Sequence, residues 1–398
     1  MHQFKNLEHK YDFFYYNEIG KDPYEYVDFV ITDLLARGVL VDGVIGDQDD
    51  TSILASLAAK KLGLIGPDPQ AIFRAQHKAY FSVFAAKANN YFPPTYVLNP
   101  SVRKFPDLPF PGFEKPSKGS LSRFAYMVRT PKELRKRLDA IERAPRKYLR
   151  WFDTFFHSQY EADKHVKKPY IPINTLLYQP LLSFDQYTVD GLVQHGKITI
   201  LGYTKSDYSE DRKSFVSFNF PSELSKNLND EVQEVLKKLL QLLGYDNAGF
   251  NLEFFVTDRD HMIIIEFNTR LSGQFIPLMQ QWYKSNNLDF AIQIALGNKP
   301  IIQSRKEKKL ASSFPLRIHR DFLVEYIPDE KYYKRLKEKF DILEIRIMVD
   351  QGKKLSDYPQ DGYSFRYAIV DIAGKTKQEI HDKLELVKMN LGIVFRPV

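Results

Sequence analysis

The stretch that most limits what this chain can become is Gly249 to Phe275, GFNLEFFVTDRDHMIIIEFNTRLSGQF. Two apolar runs, NLEFFV and HMIIIEFN, flank the polar turn formers TDRD, which reads as a β-hairpin. The unusual feature is the acids inside the apolar runs. Residues two apart on a strand share a face, so Glu266 and Asn268 point the same way. With a four-residue loop over 257–260, Val256 is expected opposite His261 and Glu253 opposite Ile264. Glu253 then shares the face of Glu266, one diagonal step away, within about 7–8 Å at the backbone. Crowded carboxylates repel one another and lose hydration, so they need a cation or strong donors. An all-oxygen cluster suits Mg²⁺, which takes one or two carboxylates together with phosphate oxygens. A half-exposed hairpin whose acids face water has the same pattern. Arg270 and Gly273 favour the metal reading, because they place a fixed cation and a flexible turn where an anion could be held.

Glu253, followed by Glu266-x-Asn268-x-Arg270 with Gly273, resembles the metal-binding end of the ATP-grasp superfamily. The thirteen-residue step from Glu253 to Glu266 is similar to that in its amide-forming ligases. The resemblance implies an α/β (α+β) protein with the ATP-grasp fold. A short parallel-sheet pre-domain is expected over 1–96 and the ATP-grasp domain over 97–300. The latter would divide into a mobile lobe at about 110–178 and a metal-binding lobe at about 179–300, before a small α+β lid-like domain over 301–398.

Composition narrows the chemistry. The chain of 398 residues is too long for one simple core, and 43% hydrophobic and 14% aromatic content are those of a folded protein. Absence of cysteine excludes disulfides, thiolate zinc sites and a cysteine nucleophile. No run of about 18 apolar residues and no charged-then-apolar leader is present, so no membrane span and a cytoplasmic location are expected. The net charge of +7 favours anionic ligands. The basic residues are dispersed, so a nucleic-acid partner is not expected.

Tyr11–Tyr16 and Val39–Ile45 read as strands alternating with helices over 24–37 and 52–62, hence a small parallel sheet. Asp49, Asp50 or Thr51 is read as the N-cap of the second helix. A further helix restarts at Asp68-Pro69 and carries His77-Lys78. LGLIGPDPQAIFRAQHKAYF resembles the pre-domain's link into the first nucleotide-holding lobe, which makes Lys78 a phosphate ligand. Glu114-Lys115-Pro116-Ser117-Lys118-Gly119-Ser120 offers a strand lysine and then a loop of backbone N–H groups. By resemblance Lys115 binds the α/β-phosphates and Ser120 lies at the tip of the phosphate-covering loop. Pro131 to Leu138 opens a helix, and the basic, aromatic-rich run to about 170 could bind an acidic substrate, a partner or nothing.

Gln179, Pro180, Leu181 and Leu182 match the family hinge that reads adenine, and Gln186 the position that holds ribose. Glutamates are usual at 179 and 186; the amides here can hydrogen-bond but carry no charge. Ile265 is placed against the nucleotide by the same resemblance. Lys205, after the next strand, falls where relatives put a cation near the γ-phosphate, and Arg212 and Lys213 compete for that role. The implied activity is ATP-dependent joining of a small carboxylate to an amine, amino acids or peptides among them, through an acyl phosphate. Glu253, Glu266 and Asn268 would hold Mg²⁺ or Mn²⁺, with Arg270 and Lys205 stabilising oxyanions. The resemblance is compatible with a homodimer. A non-catalytic ATP-binding regulator and an ATP-grasp carboxylase or kinase are the other readings.

Overall fold

The structure is a computed structural model that describes residues 22–102, 104–119, 125–143, 147–166, 169–358 and 364–398. Reciprocal hydrogen bonds between Asp22 and Glu25, with Pro23 in the first turn, start α1 (Pro23–Ala36). α2 (Asp49–Leu62) stops on Gly63, whose φ of 68° suits a left-handed C-cap. Asp68 caps α3 (Pro69–Gln76) by accepting from the Gln70 amide at 2.8 Å. His77 then breaks the helix with ψ of 95°, and α4 (Lys78–Ala88) begins at the next residue. The single helix expected through His77-Lys78 is therefore two. The break turns the Lys78 amide, one of the unpaired donors of a helix start, onto the Ser117 carbonyl at 2.9 Å.

Val39–Ile45 is not a strand, which corrects that expectation; its proposed partner Tyr11–Tyr16 lies outside the described residues. The segment packs on a helix instead of pairing: a Cβ added at Gly43 would lie 3.0 Å from the Ala295 carbonyl oxygen. Every strand pairing among the described residues is antiparallel.

A four-stranded sheet, ordered β1-β4-β2-β3, combines β1 (Tyr96–Leu98), β2 (Gly112–Pro116), β3 (Tyr126–Val128) and β4 (Leu176–Pro180). Two helices lie between β3 and β4. Leu134 and Leu138 of α5 (Pro131–Arg143) pack on this sheet with Val128 and Tyr178. α6 (Lys147–Ala162) sends Phe152, Phe155 and Phe156 into one core with Phe73 and Tyr80. The aromatic run, whose role the sequence leaves open, is thus packing surface between α6 and the helices that precede the small sheet.

The second sheet has eight strands. Its first members are β5 (Asp185–Gln194), β6 (Lys197–Tyr208), β7 (Phe215–Phe220), β8 (Ala248–Val256) and β9 (Met262–Asn268). β10 (Leu310–Ile318), β12 (Ile342–Ile347) and β13 (Phe365–Gly374) complete the order β12-β13-β10-β7-β6-β5-β8-β9. His195 and Gly196, both at positive φ, make the tight β5–β6 turn. β10 pairs with β7, so the region after 300 continues the central sheet. β11 (Phe322–Tyr326) and β14 (Val394–Pro397) form a separate ribbon.

α7 (Lys226–Leu243), between Ser225 and a left-handed Gly244, backs the hairpin end of the large sheet through Leu228, Val232, Leu236 and Leu239. The short α8 (Ile276–Met279) and α9 (Asn287–Ala295) lie after β9. α10 (Glu330–Phe340) and α11 (Lys377–Asn390) pack with β12 and β13 in a core of their own. No helix among the described residues is long and apolar enough to cross a membrane.

Candidate functional site

The hairpin connection is one residue longer than expected: Thr257 donates to the His261 carbonyl at 2.9 Å, and Val256 faces Met262. That register alone would set Glu253 against Ile265 and turn Glu266 to the other side of the sheet. A bulge at Ile265 restores the phase. Phe254 faces Ile264, the next pair is Glu253 with Glu266, and Asn251 faces Asn268. The expected diagonal relation of the two acids is corrected to a direct cross-strand pair, for which Cβ separations are about 4.5–5.5 Å.

The acids meet cations drawn from two other elements. Lys78, in the first turn of α4, is ion-paired with Glu266. Lys115 of β2 donates to the Ile265 carbonyl at 3.1 Å, across the gap between the two sheets. Burial pushes the Glu253 carboxyl up to about 7, and neighbouring Glu266 adds to the rise. Burial likewise pushes the Lys115 ammonium down to about 8, partly offset by Glu266. Glu253 accepts from Gln186 Nε2 at 2.9 Å and from Asn268 Nδ2 at 3.3 Å, and Gln186 in turn accepts from the Tyr208 hydroxyl.

A second polar cluster adjoins the first. Arg270 Nε donates to Asp49 Oδ1 at 3.0 Å. Lys118 donates to Gln76 Oε1 at 2.7 Å and stands 3.8 Å from Asp49 Oδ2. Burial raises the Asp49 carboxyl, but Lys118, Arg270 and Lys78 together hold it below the usual carboxylate range. Asp49, Gln76 and Lys118 are not among the site residues expected from the sequence. The Ser/Gly/Lys loop does carry Lys118, whereas Asp49 before a helix reads only as a cap.

The hinge residues fall at the end of β4. The Gln179 amide donates to Thr95 Oγ1 at 2.8 Å, Pro180 closes the strand, and the Leu181 amide already donates to the Pro111 carbonyl at 3.1 Å. Leu182 follows in the link to β5. Ser120 lies outside the described residues. Lys205 is a correction. It pairs with Tyr187, while its neighbours Thr204 and Ser206 pair with Thr188 and Gln186, and Thr188 faces Glu253. Strand alternation therefore sends Lys205 to the reverse face, where it donates to Asp185 Oδ2 at 2.6 Å.

Among the described residues no three histidines or acids gather around one point. The candidate set at Glu253, Glu266 and Asn268 offers oxygen ligands, with burial and then the neighbouring Glu266 raising the Glu253 carboxyl. Such donors fit a hard cation shared with phosphate, Mg²⁺ or Mn²⁺, and not zinc.

Residues 108–277 match the family described as the ATP-grasp domain. The chain has the ATP-grasp fold. Solved structures share its fold over nearly the whole length. An L-amino acid ligase from Bacillus licheniformis matches with TM-score 0.72 at 14% identity, covering 94% of this chain and 86% of that one. A phosphoribosylglycinamide synthetase from Anaerococcus prevotii matches with TM-score 0.59 at 15% identity, covering 94% and 88%. The biotin carboxylase domain of the Hydrogenobacter thermophilus 2-oxoglutarate carboxylase, a dimer in complex with MgADP, ADP and bicarbonate, matches with TM-score 0.59 at 15% identity, covering 94% and 80%. Curated proteins gave no sequence match. In ATP-grasp terms the site lies between the small sheet carrying Lys115 and the large sheet carrying Glu253 and Glu266.

Proposed function

We propose that this protein is an ATP-dependent carboxylate–amine ligase that forms an amide bond through an acyl phosphate, releasing ADP and phosphate. One observation supports this above the others: Glu253 and Glu266 stand opposite one another, with Lys78 on Glu266 and Lys115 on the bulged carbonyl beside it. Glu253, Glu266 and Asn268 would hold Mg²⁺ or Mn²⁺, which when bound neutralises charge on the transferring phosphoryl group. Lys78 and Lys115, turned from the acid and the carbonyl onto phosphate oxygens, would fix the nucleotide. The hinge from Gln179 to Leu182 would seat the base, with Gln186 beside the ribose.

Arg270, which shares Asp49 with Lys118, would orient the substrate carboxylate; Lys205, on the reverse face, would not. A carboxylate oxygen attacks the γ-phosphorus and the bond to ADP breaks. The amine nitrogen then attacks the acyl carbon, phosphate leaves, and the amine proton passes to solvent. A donor at the developing oxyanion typically contributes about 10²–10³ in rate, which is the role assigned to Arg270. No side-chain nucleophile is required. Amino acids are the substrate class to try first, given the similarity to the L-amino acid ligase.

Hydroxylamine stands in for the amine and tests the reading without knowledge of the second substrate. The protein, ATP, Mg²⁺ and each acid of an amino-acid panel are incubated with hydroxylamine, and hydroxamate and ADP are measured. Equal amounts of both, with one or more acids, are expected. ATP binding without hydroxamate or ADP across the panel would favour the non-catalytic regulator, and ADP release that needs bicarbonate would favour a carboxylase.

A further inference from the structure

Asp190, Asn251 and Asn268 form one rung across three strands: Asp190 lies directly opposite Asn251, and Asn251 directly opposite Asn268. All three are buried, Asp190 completely. Asn251 Nδ2 donates to Asp190 Oδ2 at 3.1 Å, and Asn268 Nδ2 donates to Asn251 Oδ1 at 3.0 Å and to Glu253 Oε1 at 3.3 Å. Asp190 Oδ1 accepts from the Ser272 amide at 2.8 Å, which ties the segment carrying Arg270 to the same carboxylate.

We propose that Asp190 is a positioning residue that fixes which end of the Asn268 amide is offered to a divalent cation. A carboxylate only accepts, so Asp190 compels Asn251 to present its NH₂ group to it. Asn251 then turns its oxygen to Asn268, which must answer with its own NH₂ group. The second proton of that group meets Glu253, and Asn268 Oδ1 is left as the outward-facing atom. A carboxamide binds a cation through oxygen and repels it through nitrogen, so the polarity set at Asp190 decides whether Asn268 is a ligand. The inference rests on the metal site proposed above. It adds that the amide orientation there is imposed from a buried carboxylate two strands away, one that touches neither nucleotide nor metal.

Mn²⁺ serves as the probe, with its free concentration read by electron paramagnetic resonance in the presence of a non-hydrolysable ATP analogue. Asp190→Asn keeps the shape of the side chain but lets Asn251 turn over. It is expected to weaken Mn²⁺ binding by about 10–100-fold, as loss of an outer partner does, and to leave binding of the analogue in EDTA within about twofold. The exchanged pair Asp190→Asn/Asn251→Asp restores the order of donors: the new amide at position 190 donates to the new carboxylate at position 251, which accepts from Asn268. It is expected to return Mn²⁺ affinity to within about threefold of the natural chain; a merely structural role for Asp190 would instead weaken analogue binding in EDTA along with Mn²⁺ binding in Asp190→Asn. Unchanged Mn²⁺ affinity in Asp190→Asn, or no recovery in the exchanged pair, overturns the proposal. Failure of the natural chain itself to bind Mn²⁺ with the analogue removes the metal site first, and is thereby distinguished.

Discussion

Lys78 and Glu266 are ion-paired although 188 residues apart in the chain, so the cation proposed for phosphate sits on the acid proposed for metal. Without nucleotide the site neutralises itself. Replacing Lys78 with methionine leaves Glu253 and Glu266 facing one another with a cation removed. Breaking a buried pair from one side typically costs about 3–5 kcal/mol, and the effect here belongs at or below the low end because the Glu266 side chain is 26% exposed. Lys78→Met is expected to lower Tm in EDTA, to regain most of the loss in millimolar Mg²⁺, and to weaken ATP binding at least tenfold. Thermal melts with and without Mg²⁺ check the first two outcomes and calorimetric titration checks the third.

Lys115 gives the site a pH dependence of definite sign. Its ammonium is pushed from 10.5 down to about 8 by burial, so the free protein holds the charge below about 8 and loses it above. The charged form binds phosphate, so, beyond the change that Glu253 makes by ionising near pH 7, ATP affinity is expected to fall as pH rises through 8. Lys115→Arg carries a charge that does not titrate in this range. Its ATP affinity should lack the fall through pH 8, even if weaker overall. ATP dissociation constants measured from pH 6.5 to 9.5 compare the two.

Parts of this arrangement are legible in the sequence. An acid and a carboxamide two residues apart inside an apolar run read as a polar stripe on one strand face, and the hairpin pairing adds Glu253 to Glu266 and Asn268. The route by which they meet is not legible. The bulge falls on Ile265, a residue with no turn or glycine signature, and it cancels a one-residue error in the loop between the strands. Lys205 escapes for a related reason: its expected place comes from similarity to a cation in relatives, while its phase on β6 is set by pairing with Tyr187. Asp49 and Lys118 are brought together by tertiary packing between α2 and the loop after β2, which no local pattern encodes.

Gln186 is an amide where the resemblance of the sequence implies an acid, and its contacts define what that difference does. Its amide donates to Glu253 at 2.9 Å and accepts from Tyr208. Gln186→Glu removes the donor and adds a third carboxylate beside two that already repel. In EDTA the variant is expected to be less stable by about 1–3 kcal/mol, the usual loss when a buried acceptor is left without its donor. With Mn²⁺ the order reverses: the extra charge is expected to tighten binding severalfold and to recover the lost Tm. Melts in EDTA and Mn²⁺, with a Mn²⁺ titration, check both signs.

Glu114 concerns the small sheet and not the chemistry. It neighbours Lys115 on β2 but faces the other way, fully buried, with neither carboxyl oxygen hydrogen-bonded among the described residues and Arg137 Nε 3.8 Å away. Burial pushes its carboxyl from 4.5 up to about 8, against the pull of Arg137. Below pH 4.5 folded and unfolded chains both hold the proton, and the group does not alter stability with pH. Between 4.5 and 8 only the folded chain holds it, so stability falls as pH rises, and above 8 the loss is constant. Glu114→Gln keeps the shape and cannot ionise. Its stability relative to the natural chain is expected to be near zero at pH 4.5, to grow through neutrality, and to level off above pH 8 at about 4–5 kcal/mol, the equivalent of the shift. Urea unfolding at pH 4.5, 6, 7 and 8.5 gives that curve; a loss of stability that did not change over this range would mean Glu114 is paired and ionised in the folded chain.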